Sequence, residues 1–168
     1  GFSRYNFFLL NYLIHKKNIV DAKKLIQEAK NNFDTNILIL QSYDLIYAKK
    51  YKKIKKMFNC QNPNDLMAEF FYIMANLYST DKNYNLSSFY LKIAFYLNPS
   101  FASNNTLLAE NYLNLNDYSN AKKTFYSIKK IGKIYSWYAD KKIANIITST
   151  ENKKNAIKHL KKEIKKIQ

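Results

Sequence analysis

The side chains that most often do chemistry are few in this chain and widely spaced. It has two histidines, His15 and His159, and one cysteine, Cys60. A catalytic or metal-binding histidine needs partners about one helical turn or a short loop away. Neither has them: each lies among lysines, in "IHKKN" and "IKHLKK", and is expected at the surface. Cys60 sits in the corner "NCQNPN" with no base beside it to draw off its proton, and reads as a loop cysteine. No HExxH, GxSxG or GxxxxGK pattern occurs. The sequons at Asn85-Leu-Ser and Asn104-Asn-Thr are what an asparagine-rich chain produces by chance, and they carry no weight. The expectation is a non-catalytic protein with no cofactor and no metal.

What remains is the framework that would position a binding surface. A chain of 168 residues suits one domain, 1–168, with its own core. Only two glycines and two prolines are present, too few for the tight turns of sandwiches and barrels, so helices joined by polar corners are expected. A lone cysteine excludes an internal disulfide. No apolar run reaches the ~20 residues of a membrane span. The opening "GFSRYNFFLLNYLIHKK" is broken by Asn6 and Asn11 and reads as a helix. The chain does not begin with Met and is read as a fragment. The expected placement is soluble and cytoplasmic, with a periplasmic one left open.

The best organised stretch is "ANLYSTDKNYNLSSFYLKIAFYLNP", from Ala75 to Pro99. It aligns with a second copy at a constant separation of 34: Ala75 with Ala109, Tyr78 with Tyr112, Ser87 with Ala121, Leu91 with Phe125. A third copy follows at a separation of 35, with Ala144 against Ala109 and Ala156 against Ala121. Two weaker copies precede them. The approximate units are 5–34, 36–60, 67–99, 102–132 and 136–166. Apolar residues inside each copy recur at helical rather than strand period. The best copy splits into helices at about Ala68 to Ser79 and Leu86 to Leu97. Small residues are expected where helix axes approach to ~8–10 Å, with large residues filling the gaps between them.

These residues resemble the tetratricopeptide repeat, a 34-residue helix–turn–helix unit of the kind found in bacterial repeat arrays. Ala75, Tyr78, Ser87, Ala94 and Pro99 match its small, aromatic, small, small and proline positions, and Leu91 matches a bulky one. Ala109, Tyr112, Ala121 and Phe125 match in the next unit, which departs at Ile128 and Lys133. The resemblance implies an all-α protein, an α-α right-handed superhelix of about five such repeats. It also implies a concave groove lined by first helices. Counted from the small residue, the inward positions are Tyr72 and Asn76, Thr106 and Glu110, and Lys141 and Asn145, with Thr80, Asn114 and Tyr138 beside them. Lys141 and Asn145 are similar to the Lys-x-x-x-Asn pair with which some members hold a peptide carboxylate. Glu110 in the adjacent unit opposes that use, and the pair is read as coincidental.

Two functions follow. One is a scaffold that binds a protein or peptide in the groove. The alternative is a binder of RNA or another acidic polymer, drawing on the net charge of +16. Lysine pairs 122/123, 129/130, 153/154 and 161/162 fall in or beside second helices, which face outward in such arrays. That placement supports the scaffold. The charge also fits the Lys-, Asn- and Ile-rich usage of an AT-rich genome. The identity of the partner and the oligomeric state stay open at this point.

Overall fold

A computed structural model describes residues 3–165; the end of the last expected unit, at 166, lies outside them. Every regular element within that span is a helix. The order is α1 (Ser3–His15), α2 (Ile19–Asn32), α3 (Ile37–Tyr47), α4 (Tyr51–Met57), α5 (Pro63–Thr80), α6 (Tyr84–Leu97), α7 (Ala102–Asn114), α8 (Tyr118–Ile128), α9 (Lys133–Thr150) and α10 (Lys153–Ile164). The all-α expectation holds.

The helix starts use five of the 22 asparagines and one aspartate as caps. Side chains of Asn18, Asn36, Asn62, Asn83, Asp117 and Asn152 each accept a backbone N–H at the start of the following helix. Asn62 allows α5 to begin at Pro63, earlier than the periodicity suggests. Proline is tolerated there because the first N–H of a helix has no intrahelical partner.

The first four hairpins turn the same way. Lys17, Lys49, Lys82 and Asn116 each adopt a left-handed conformation, with φ of 61°, 56°, 61° and 57°. At each turn the next N–H reaches back to close the preceding helix: Asn18 to Leu13, Lys50 to Leu45, Asn83 to Tyr78 and Asp117 to Tyr112. Three of those closing residues, Asn18, Asn83 and Asp117, then cap the next helix with their side chains. A single residue therefore ends one helix and starts another, which keeps the corners short.

Packing departs from the expected one-dimensional stack. In such a stack each hairpin touches only its neighbours. Here helices pack in sequence from α1 to α4 and again from α5 to α10, while no packed pair joins α4 to α5. Instead α3 packs on α9. Phe7 of α1 stacks on Phe101 at 5.3 Å between ring centroids, and Phe8 and Phe58 complete the aromatic cluster. Asn98 donates through Nδ2 to the Met57 carbonyl at 3.0 Å. The physical reason is visible in α4, which has seven residues. It is too short to present a full face to α5, and the chain buries its apolar surface by folding the first two hairpins back across the later ones.

The repeat residues sit inside. Ala75, Ser87, Leu91, Ala94, Ala109, Ala121 and Phe125 are fully buried, and Ala144 and Ala156 nearly so. Tyr78 stacks on Tyr90 at 5.5 Å, and Tyr112 packs against the core from the partly buried layer. Pro99 is exposed at the corner between α6 and α7.

Candidate functional site

The first helices of all five hairpins meet at one cleft. A cavity of 260 Å³ is lined by Ser3 and Arg4 of α1, Ile37 and Leu38 of α3, Tyr72 and Asn76 of α5, Thr106 and Glu110 of α7, and Tyr135 of α9. A second cavity of 560 Å³ shares Asn36, Ile37, Thr106 and Glu110 with it and continues to Trp137, Tyr138 and Lys141. The expected groove is therefore not open: α1 and α3 form its opposite wall.

Six of the nine expected groove positions line these cavities: Tyr72, Asn76, Thr106, Glu110, Tyr138 and Lys141. Thr80, Asn114 and Asn145 do not. Each lies one turn beyond a lining residue of its own helix, four residues after Asn76, Glu110 and Lys141, and each is exposed. Thr80 instead donates its hydroxyl to the Asn76 carbonyl at 2.9 Å. The Lys141–Asn145 pair is thus divided, with only Lys141 at the cleft.

Electrostatics inside the cleft are set by two pairings. The Arg4 guanidinium binds the Glu69 carboxylate through Nε and Nη2, and lies 3.7 Å from the centre of the Tyr72 ring. Cation–π stacking and the ion pair together fix the arginine against the wall. Glu110 accepts from the Tyr138 hydroxyl at 2.6 Å and from Lys142 Nζ at 3.0 Å. Its charge is thereby matched by a cation that repeat counting did not select. Burial, with the Glu110 carboxylate beside it, pushes Tyr138 far above the ordinary tyrosine value. Burial also raises Tyr135, whose hydroxyl is sealed from solvent beside Ser103. Burial raises Tyr72 as well, with Arg4 opposing the shift. All three phenols stay protonated at neutral pH and can donate.

Sequence reading missed the residues that come from α1 and α3. Arg4, Asn36, Ile37 and Gln41 lie tens of residues from their partners, and no period links them. Gln41 is the clearest case. Helix α9 starts after Gly132, which has no side chain to cap it. Gln41 Oε1 supplies the missing acceptor, taking the Ile134 N–H at 3.1 Å across 93 residues of sequence. Gly132 permits this close approach, because a Cβ there would overlap the Gln41 carboxamide and make it shift.

The histidines are a further correction. His159 is not at the surface: its side chain is 12% exposed, with Nε2 3.3 Å from Asp140 Oδ1. Asp140 is buried and binds Lys129 Nζ at 2.6 Å, and the same lysine binds Glu163 Oε2 at 2.5 Å. This cluster ties the end of α8 to α9 and α10. The inward face of α10 carries Ala156, His159, Leu160 and Glu163, while Ile157 and Ile164 are exposed. His15 has its Nε2 buried at the end of α1. Cys60 is exposed in its corner.

Among the described residues, no helix is long and apolar enough to cross a membrane, and no group of three or more His, Cys, Asp or Glu could hold a metal ion. No protein-family model matches the chain, nor does any curated protein or solved structure match it at a significant level.

Proposed function

We propose that the chain is a variant tetratricopeptide-like repeat protein whose cleft binds a short segment of a protein partner, without catalysis. The observation that carries this reading is the convergence of five first helices on one cleft. Such a cleft offers polar groups from Asn76 and Thr106, aromatic walls from Tyr72, Trp137 and Tyr138, and the cation of Lys141, while Arg4 is held by Glu69 and Asn36 by the start of α3. That mixture suits an extended peptide with one or two apolar side chains and an acidic group. The 34-residue spacing and the four like turns support the repeat assignment.

Selection from a random peptide display library tests it. A consensus motif should be enriched on the native chain and lost on Tyr72→Ala and Lys141→Glu. Failure to enrich any motif, or equal enrichment on both variants, would overturn the reading.

The acidic-polymer alternative draws on α10, where Lys154, Lys158, Lys161, Lys162 and Lys165 surround Ile157 on an exposed face. None of these lines the cleft. Electrophoretic mobility shift with single-stranded RNA separates the two: tight binding that weakens steeply with salt would support the polymer reading.

A further inference from the structure

Helix α5 is apolar on two opposite sides. One side carries the buried Ala68 and Ala75 against α6 and α7. The other carries Leu66, Phe70, Ile73 and Leu77, which are 49%, 53%, 50% and 56% exposed, with Met67 beside them. The stripe is the face that a preceding hairpin covers in a stack, left bare here because α4 does not pack on α5.

Three features of the stripe identify its occupant. The first is spacing. Intervals of four, three and four residues make a seam for packing another helix. The pattern also reads the same in reverse. Two α5 helices laid antiparallel about a two-fold axis between Phe70 and Ile73 bring Leu66 of each copy against Leu77 of the other, and Phe70 against Ile73. That is the self-complementarity an isologous contact requires.

The second is charge. The chain carries 28 Lys and Arg in 168 residues, so an 18-residue helix at the average would carry three; Pro63–Thr80 carries none. Two chains of net charge +16 repel across most of their surfaces. On this helix they meet without bringing lysines together. A partner recruited by the basic surface would instead leave lysines flanking the seam.

The third is area. Five half-exposed large side chains offer roughly 450–500 Å² of apolar surface per copy, at about 180–200 Å² for each whole residue. Two copies therefore bury at most roughly 900–1,000 Å² from the stripe itself, so its polar rim must carry the contact past the ~1,000 Å² that a specific interface needs.

We propose that this chain forms a homodimer through antiparallel packing of α5 on its copy. The contact is separate from the cleft and independent of the ligand bound there.

Sedimentation velocity over the micromolar range tests association. The native chain should shift from monomer to dimer with concentration. Phe70→Glu with Ile73→Glu should weaken dimerisation at least about tenfold, as truncation of central interface residues does, with helical circular dichroism unchanged. A native chain that stays monomeric throughout overturns the proposal, as does a dimer that the double variant leaves intact. Crosslinking tests the geometry. In a Cys60→Ser background, Leu66→Cys with Leu77→Cys should form a covalent dimer on oxidation, while neither single substitution should. The two positions are about 16 Å apart along one helix, beyond the ~7 Å reach of a disulfide, so any bridge joins two chains. Crosslinking by Leu66→Cys alone would mean parallel helices and would sink the antiparallel pairing.

Discussion

The hairpin α5/α6 and the rest of the molecule are held by different means. The main core runs through α1, α2, α3, α4, α7, α8 and α9 and contains Phe7, Ile39, Phe101, Phe125 and Tyr135, all fully buried. No buried residue of α5 or α6 belongs to it. That hairpin has a small cluster of its own, Ala75 and Leu91 with Leu108 of α7, and Tyr72 and Tyr90 around them. Its hold on α7 is partly polar: Asn111 donates to the Ser87 hydroxyl at 2.7 Å, and the Ser79 hydroxyl donates to Asn111 Oδ1 at 3.0 Å. The stretch with the clearest repeat pattern is thus the one least involved in the common core. Repeat spacing specifies how two helices of a hairpin meet. It does not specify where the hairpin's other faces go.

The largest test of this contrast compares two truncations. Phe101→Ala removes the ring on which α1 stacks and is expected to cost about 3–5 kcal/mol, lowering a single global transition in thermal unfolding. Leu91→Ala is expected to cost about 2–3 kcal/mol, but hydrogen exchange should show α5 and α6 opening alone. Loss of protection in α1 and α3 as well would erase the distinction. Overpacking gives a second comparison: Ala109→Leu in the main core and Ala75→Leu in the small cluster should each cost roughly 1–3 kcal/mol. An unchanged melting temperature in either would show that the small residue does not set the helix spacing.

The α3–α9 closure gives the next largest effect. Gly132→Ala places a methyl on the Gln41 carboxamide and should cost about 1–3 kcal/mol. Gln41→Ala loses the cap on α9 and should cost about 1 kcal/mol. In the double variant the methyl has room, so the two costs should fall short of additive in chemical denaturation. Full additivity would mean that Gln41 does not enforce the glycine.

Alkaline pH should act on the main body through Tyr135 and Tyr138 and on the hairpin through Tyr72. Burial raises Tyr135 and Tyr138, so each is protonated in the folded chain where the unfolded chain ionises, near 10.0. Their contribution is complete below that value and is lost progressively as pH rises from it toward the raised folded values. Lys129 has the same sign: burial lowers its pKa, but Asp140 and Glu163 more than compensate and leave it raised above 10.5. Melting temperature should fall above about pH 10, and Tyr135→Phe should flatten the fall. A slope unaffected by that change would place the alkaline sensitivity elsewhere.

The smallest effect belongs to the turns. Lys82 holds a left-handed conformation that glycine adopts without strain. Lys82→Gly should stabilise α5/α6 by about 0.5–1 kcal/mol, read as slower local exchange. Asn116→Gly should gain less, because asparagine tolerates that region.

The helical character of the chain was legible because its apolar residues repeat at the period of a helix and its glycines and prolines are few. The first helices of the later hairpins could also be counted to the cleft, since Tyr72, Thr106 and Lys141 occupy like positions one repeat apart. The wall formed by Arg4, Asn36 and Ile37 could not. Those contacts depend on α4 being short, and a break in a stack says only that neighbours separate. It does not say which distant surface is taken up instead. His159 was misplaced for a related reason: lysines on both sides of it suggested solvent, yet one narrow face of α10 turns inward to Asp140.

The hydrogen bond from Ile134 to Gln41 also bears on the order of assembly. Hairpins of this chain close over about thirty residues or fewer, while the α3–α9 contact must close a loop of 93. Loop-closure entropy rises with the logarithm of length, and non-local contacts slow folding. The hairpins should therefore form early and the meeting of α3 with α9 late. Gln41→Ala is then expected to accelerate unfolding in stopped-flow measurements and to leave the folding rate nearly unchanged. A slowed folding limb would place the clasp in the nucleus. With the clasp late, the chain spends its early life as an open row of helical pairs, and it acquires an inside only at the last step.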